Sequence, residues 1–165
     1  MPYFASAFAR THHGWLGREL DLDEADDLDG VADALREVAA EDSADVTLLF
    51  VEEDDEWLGV ARIDGEGDPR VFISDSRVLA YSDMAVRLAE DLAVERPAVA
   101  VEDEEESVKP LPQPAGDVDV LTDFGTTGDR LVELCAEEGL LPADVITELC
   151  ERAGCLEQLE QLRGG

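Results

Sequence analysis

Positive charge is what this sequence has least of. Lys109 is its one lysine, and with eleven arginines it faces forty-two aspartates and glutamates, for a formal charge of −30 over 165 residues. Nucleic-acid affinity comes from Lys and Arg displacing the counterions condensed on phosphates, so this shortage argues against direct RNA or DNA binding. It argues against anionic membrane surfaces for the same reason. No apolar run approaches the length of a membrane span, and no basic start leads into an apolar leader, so a cytoplasmic protein is expected. Cysteine is scarce and odd in number: Cys135, Cys150 and Cys155 lie near the C-terminus. In a reducing compartment they read as thiols buried as small apolar groups. The rarity of Lys beside abundant Ala, Val, Asp and Gly points to a GC-rich bacterial genome.

The motifs of common chemistries are missing as well. Zinc sites need paired Cys or His at short spacing, and there is neither C-x-x-C nor H-E-x-x-H. His12 and His13 fall in an expected turn, where solvated imidazoles are the simpler reading. A calcium loop begun at Asp21 meets Ala25 and Asp26 where a ligand and a glycine are required, and one begun at Asp64 meets Pro69. There is no phosphate-binding G-x-x-x-x-G-K-[ST], and Lys109 lies in a proline-rich stretch. Gly125-Thr126-Thr127-Gly128 could cradle an anion at a helix start, but Asp129 behind it favours plain capping. No G-x-S-x-G elbow or Cys–His arrangement suggests a nucleophile. The expectation is a protein with no catalytic residue, metal or cofactor, and not an enzyme.

What is present is enough for a core. Apolar residues make up 45% of the chain, normal for a folded domain and too many for a disordered one. The acidic surface favours cationic partners and speeds encounter with them, an effect that salt weakens. The same charge also serves solubility.

Hydrophobic patterning gives the order of elements. Tyr3 to Ala9 reads as a strand, Thr11-His12-His13-Gly14 as a turn, and Trp15 to Leu22 as the returning strand of a hairpin. Asp26 or Asp27 caps a helix carrying Leu28, Val31, Ala32, Leu35, Val38 and Ala39, which runs to about Ala40. Val46 to Val51 is nearly all apolar and reads as a buried central strand. Glu52-Glu53-Asp54-Asp55 is a charged turn and Glu56 to Ile63 the strand leaving it. Asp64 to Pro69 is a second turn, followed by the strand Arg70 to Ser74 and a helix from about Asp75 to Leu92. The chain is thus expected to be α+β, with a five-stranded antiparallel sheet in the order β-β-α-β-β-β-α, a topology that resembles longin- and profilin-like domains.

Three units are expected along the chain: a sheet domain over 1–94, an acidic proline-rich linker over 95–116, and a small helical unit over 117–165. Pro97, Pro110, Pro112 and Pro114 flank the run Glu102-Asp103-Glu104-Glu105-Glu106, and Pro97 to Val101 could add an extended edge segment. In the last unit Thr126 or Thr127 caps a helix that stops at Gly139, and Pro142 opens another that stops at Gly154. Two helices so joined invite a helix-turn-helix reading. The second offers Asp144, Glu148 and Glu151 with only Arg152 against them, which is the wrong chemistry for DNA.

Several ordered blocks carry a family resemblance. Tyr3-Phe4-Ala5 to Gly14-Trp15, Leu28-Asp29-Gly30, Leu49 to Trp57, Asp68 to Asp75, and Gly139 to Val145 together resemble the bacterial tRNA adenosine deaminase-associated proteins. The resemblance implies association with the enzyme that converts adenosine to inosine at the tRNA wobble position, and it assigns no reaction. The H-x-E and P-C-x-x-C segments of a zinc deaminase are absent, so the chain is not a degenerate deaminase. The expected partner is tRNA adenosine deaminase or another basic protein. The residues expected to meet it are Glu52, Glu53, Asp54, Asp55, Glu56, Trp57, Glu102, Asp103, Glu104, Glu105 and Glu106, with Trp57 either an aromatic anchor or a sheet residue packed under the second helix. The alternative is an acidic nucleic-acid mimic or chaperone-like module serving several basic proteins.

Overall fold

A computed structural model describes residues 3–22, 25, 27–53, 55–64, 67, 69–80, 82–90, 114–137 and 139–164. Its centre is an antiparallel sheet. Strands β1 (Tyr3–Thr11) and β2 (Gly14–Glu19) form the hairpin, with Thr11 opposite Gly14 at its closed end. Helix α1 (Leu28–Asp42) then carries the chain across one face of β1, so that β3 (Val46–Glu53) pairs with the other side of β1. Strands β4 (Trp57–Asp64) and β5 (Arg70–Ile73) follow by short turns.

The sheet has six strands, not five, in the order β2-β1-β3-β4-β5-β6. The sixth, β6 (Ala115–Gly116), comes from the end of the stretch expected to be linker and pairs with Phe72 and Ile73. Two residues leave no periodic pattern to read, and Gly116 supplies the condition for their fit. Its φ is +99°, and a Cβ there would collide with the Val71 carbonyl oxygen.

The expected helix over Asp75 to Leu92 is also revised. Its described part is a short 3-10 turn (Ser76–Ala80) followed by a separate six-residue helix, α2 (Asp83–Leu88). The break has local causes. Asp75 accepts the Arg77 N–H at 3.1 Å and closes the first turn, and Ser82 in an extended conformation accepts the Ala85 N–H at 3.0 Å to start the second. At the start of α1 the cap is Asp27, whose carboxylate accepts the Gly30 N–H at 2.9 Å.

Both faces of the sheet are covered. Ala5, Ala7, Leu49, Val51, Trp57 and Ile63 pack against Leu28, Val31, Leu35 and Leu88 of α1 and α2. Phe8, Leu48, Phe50, Leu58, Val60 and Phe72 pack against the C-terminal helices α3 (Gly128–Ala136), α4 (Pro142–Ala153) and α5 (Leu156–Gly164), through Leu131, Ile146, Leu149 and Leu159. Burial on two sides is why β3 and β4 read as continuous apolar runs rather than alternating ones. The second of these clusters joins the helical segment to one face of the sheet. Among the described residues no helix is long and apolar enough to cross a membrane.

Candidate docking surface

The acidic segment between β3 and β4 does not act as one patch, because strand alternation divides it. The charged turn was expected to begin at Glu52, but β3 continues through Glu53, and two glutamates are drawn into the body of the protein. Glu53 is 9% exposed and faces α2. Its Oε1 accepts the Trp57 Nε1–H at 3.0 Å and the Ser82 hydroxyl at 2.6 Å, which satisfies a carboxylate that burial would otherwise penalise. Trp57 is 1% exposed and lies in the core with Leu88, so in this structure it is a packed sheet residue and not a surface anchor. The reason is alternation again: the residue that opens β4 points to the same side as Val51, Ala61 and Ile63.

Glu52 points to the opposite face. Its side chain is 14% exposed and lies 3.7 Å from the Arg163 guanidinium of α5. Burial pushes its carboxyl above the usual range, and the attraction of Arg163 only partly offsets this. Arg163 also donates to the Thr147 hydroxyl at 2.7 Å and the Ala143 carbonyl at 3.1 Å, which pins α5 to α4.

Of the described acidic residues in this segment, Asp55 and Glu56 are the exposed pair. The turn is closed by the Glu56 N–H on the Glu53 carbonyl at 3.0 Å, with Asp55 in the left-handed region at φ 59°. Asp54 and the run Glu102 to Glu106 lie outside the described residues.

Asp55 and Glu56 border a cavity of about 100 Å³ that no single stretch of sequence indicates. Leu58 forms one wall, Ser74 and Asp75 after β5 another, and Cys135, Leu140, Pro142 and Val145 of the α3–α4 corner close it. The corner is set by Gly139 at φ +90° and by Pro142 in the first turn of α4, where Asp144 reaches back to accept the Leu141 N–H at 3.1 Å. Between them Leu141 is left 48% exposed. Asp75 is already engaged: Arg77 Nε and Nη2 donate to its two oxygens at 2.8 and 2.6 Å. Burial pushes the Cys135 thiol up to about 12, so it lines the cavity as a neutral group. Cys150 and Cys155 are buried and free, and their mutual contact with burial raises the Cys150 thiol further still.

Sequence reasoning passed over a second feature, a buried arginine. Arg62 is 4% exposed on β4, facing the C-terminal segment. It donates to both oxygens of Asp123 at 2.6 and 2.9 Å, to Asp64 at 2.7 Å and to the Val120 carbonyl at 2.9 Å, and its guanidinium lies 4.9 Å from the centre of the Phe124 ring. The Asp123 bond is the largest of the influences that hold Arg62 charged, and Arg62 in turn holds Asp123 below its ordinary value. The signal was a lone arginine inside the apolar run Trp57 to Ile63, which requires a partner elsewhere in the chain. These contacts are structural: they clamp residues 117–124 to the sheet, together with Arg70 on Asp117 at 2.6 Å. Among the described residues no group of three or more His, Cys, Asp or Glu side chains is placed to hold a metal ion.

Comparison with known proteins adds a family. A family model described as Rv3753c-like tRNA adenosine deaminase-associated protein matches residues 3–156. No curated protein and no solved structure matches. Three of the blocks that carry the family resemblance, Leu49 to Trp57, Asp68 to Asp75 and Gly139 to Val145, come from distant parts of the chain and meet around the cavity beside Asp55 and Glu56.

Proposed function

The chain belongs to the family of Rv3753c-like tRNA adenosine deaminase-associated proteins, and on that premise we propose that it is a non-enzymatic accessory protein of the deaminase, acting in the cytoplasm by protein–protein contact through its acidic surface. The family name supplies the association with tRNA adenosine deaminase. The observation that supports a contact role is the convergence of three separated sequence blocks on one exposed corner, where Asp55 and Glu56 stand beside the cavity and Leu141 lies open. Loop residues gathered from distant segments onto a rigid sheet are a usual way of building a recognition surface.

Electrostatics gives the reading its direction. An enzyme that modifies tRNA presents basic surface to its substrate. A chain of charge −30 is drawn to such a surface, and encounter quickens as salt is lowered. Bound there, it competes with RNA for the same cations. Asp55, Glu56 and the Glu102 to Glu106 run are the proposed contacts. Glu53 and Trp57 lie beneath the β3–β4 turn that carries Asp55 and Glu56.

The test is calorimetric titration of the protein into the purified deaminase of its host, at low and at physiological salt. A saturable complex that survives physiological salt and is displaced by tRNA supports a dedicated partner. The absence of heat at both salt concentrations rules the reading out. Equal binding to unrelated basic proteins replaces it with that of a general nucleic-acid mimic.

A further inference from the structure

We infer that the outer edge of β2 is an interaction surface whose occupant is the same edge of a second copy of this chain. The two strands pair antiparallel about Gly17 and join the sheets into one. This inference does not rest on the accessory-protein reading.

The two edges of the sheet differ. At one end β6 has two residues and follows Pro114, and a short strand beside a proline is a usual way of blunting an edge. At the other end β2 has six residues and no proline, and among the described residues no strand pairs with its outer side. The register shows which way its main chain faces. The Leu20 N–H donates to the Ala5 carbonyl at 2.9 Å, and bonded pairs alternate along an antiparallel ladder. Arg18 with Ala7, Leu16 with Ala9 and Gly14 with Thr11 are therefore the bonded pairs of the hairpin. Trp15, Gly17 and Glu19 lie between them, so their N–H and C=O groups point away from β1. A strand arriving there meets a row of donors and acceptors.

The edge is already ordered, which lowers the entropy cost of pairing. Trp15 Nε1–H donates to the Ala153 carbonyl at 3.2 Å, and α5 lies so close that a Cβ at Gly17 would stand 3.1 Å from the Gln158 Cβ. On the opposite face Arg18 is held by Glu41 at 3.0 Å, and Leu16 is left 45% exposed. Charge selects the occupant. All forty-two acids follow Arg18, and the first eighteen residues contain none. A basic partner is drawn to acids, of which this edge has the fewest. For two copies of a chain at −30, it is where they meet with least repulsion. Pairing about Gly17 uses the outward groups of Trp15, Gly17 and Glu19 on both strands. It lays Leu16 beside the Arg18 stem of the second copy and keeps the two Glu19 carboxylates at opposite ends. The edge is thus complementary to itself, as a two-fold interface requires.

Sedimentation equilibrium of the full chain at low and high salt tests this, together with amide hydrogen exchange read by NMR at two protein concentrations. A species of twice 17.9 kDa is expected. It should strengthen as salt rises, because screening removes repulsion between the copies, whereas a complex with a basic partner weakens. Exchange at Trp15, Gly17 and Glu19 should slow with concentration, while Leu16 and Arg18, already bonded to β1, stay unchanged. Glu19→Pro removes an outward N–H that no bond of the hairpin uses. It is expected to raise the dimer dissociation constant by about tenfold, with the melting temperature kept. If that variant melts early, the exchange pattern of the wild type decides alone. A monomer at every concentration and salt overturns the inference, and so does a dimer in which those three amides still exchange freely. Protection of the three amides in the monomer, or only after a basic protein is added, shows another occupant and overturns it as well.

Discussion

Arg62 shows how a single side chain joins two parts of the chain that are far apart in sequence. A buried guanidinium is tolerated only when its donors are occupied, and here Asp64, Asp123 and the Val120 carbonyl take them. Arg62→Ala removes the clamp on residues 117–124 and is expected to cost about 3 kcal/mol, read as a lower urea midpoint. A midpoint within error of the wild type would mean that the C-terminal layer is held by apolar packing alone. The same pair sets a pH dependence. Asp123 has a folded pKa below its ordinary value of 3.8, chiefly because of the Arg62 hydrogen bond. Its contribution is therefore complete above pH 3.8 and disappears as pH falls through the lower folded value. The wild type is expected to be more stable than Asp123→Asn at neutral pH, with the difference closing below pH 3.8. Denaturation midpoints across that range check it, and a difference independent of pH would mean that the charge on Asp123 is not what matters.

At the scale of the element, short helices here depend on their caps. Helix α2 has six residues, too few to persist by propensity, and Ser82 both caps it and donates to Glu53. Ser82→Ala removes both bonds and leaves the buried Glu53 carboxylate with Trp57 as its described donor. The expected loss is about 2 kcal/mol in a thermal or urea melt. Ser82→Thr, which keeps the hydroxyl, should recover most of it; failure to recover would point to packing instead of hydrogen bonding. The acidic β3–β4 segment belongs to this scale too. Composition marks it as charged, but where β3 ends decides which acids face solvent, and one half-buried and one buried glutamate made the end of the strand hard to see. Their partners, Ser82 and Arg163, lie 29 and 111 positions away in the chain.

For the whole molecule, charge of one sign acts on folding and on binding in opposite ways. At −30 the folded chain repels itself, and screening relieves that repulsion. The melting temperature is expected to rise with sodium chloride, while any complex with a basic partner weakens over the same range. A melting temperature that falls with salt would show that the few ion pairs, such as Arg62 with Asp123, outweigh the general repulsion.

Where the sequence offered Asp26 or Asp27 and Thr126 or Thr127 as caps and Gly139 as a stop, the structure takes Asp27 and Thr127 and ends α3 at Ala136. The sequence by itself settled the α+β class, the order of the main strands, the stop at Gly154, and the family. These follow from local rules: hydrophobic period, capping chemistry, the backbone freedom of glycine and the recurrence of ordered blocks. Tertiary structure alone decided the sixth strand, the division of the acidic segment between core and surface, the burial of Trp57, the Arg62 clamp and the cavity beside Asp55. Each of these depends on which distant segment lies opposite a given residue. A pairing across fifty or a hundred residues is fixed by the packing of whole faces, and no local pattern encodes it.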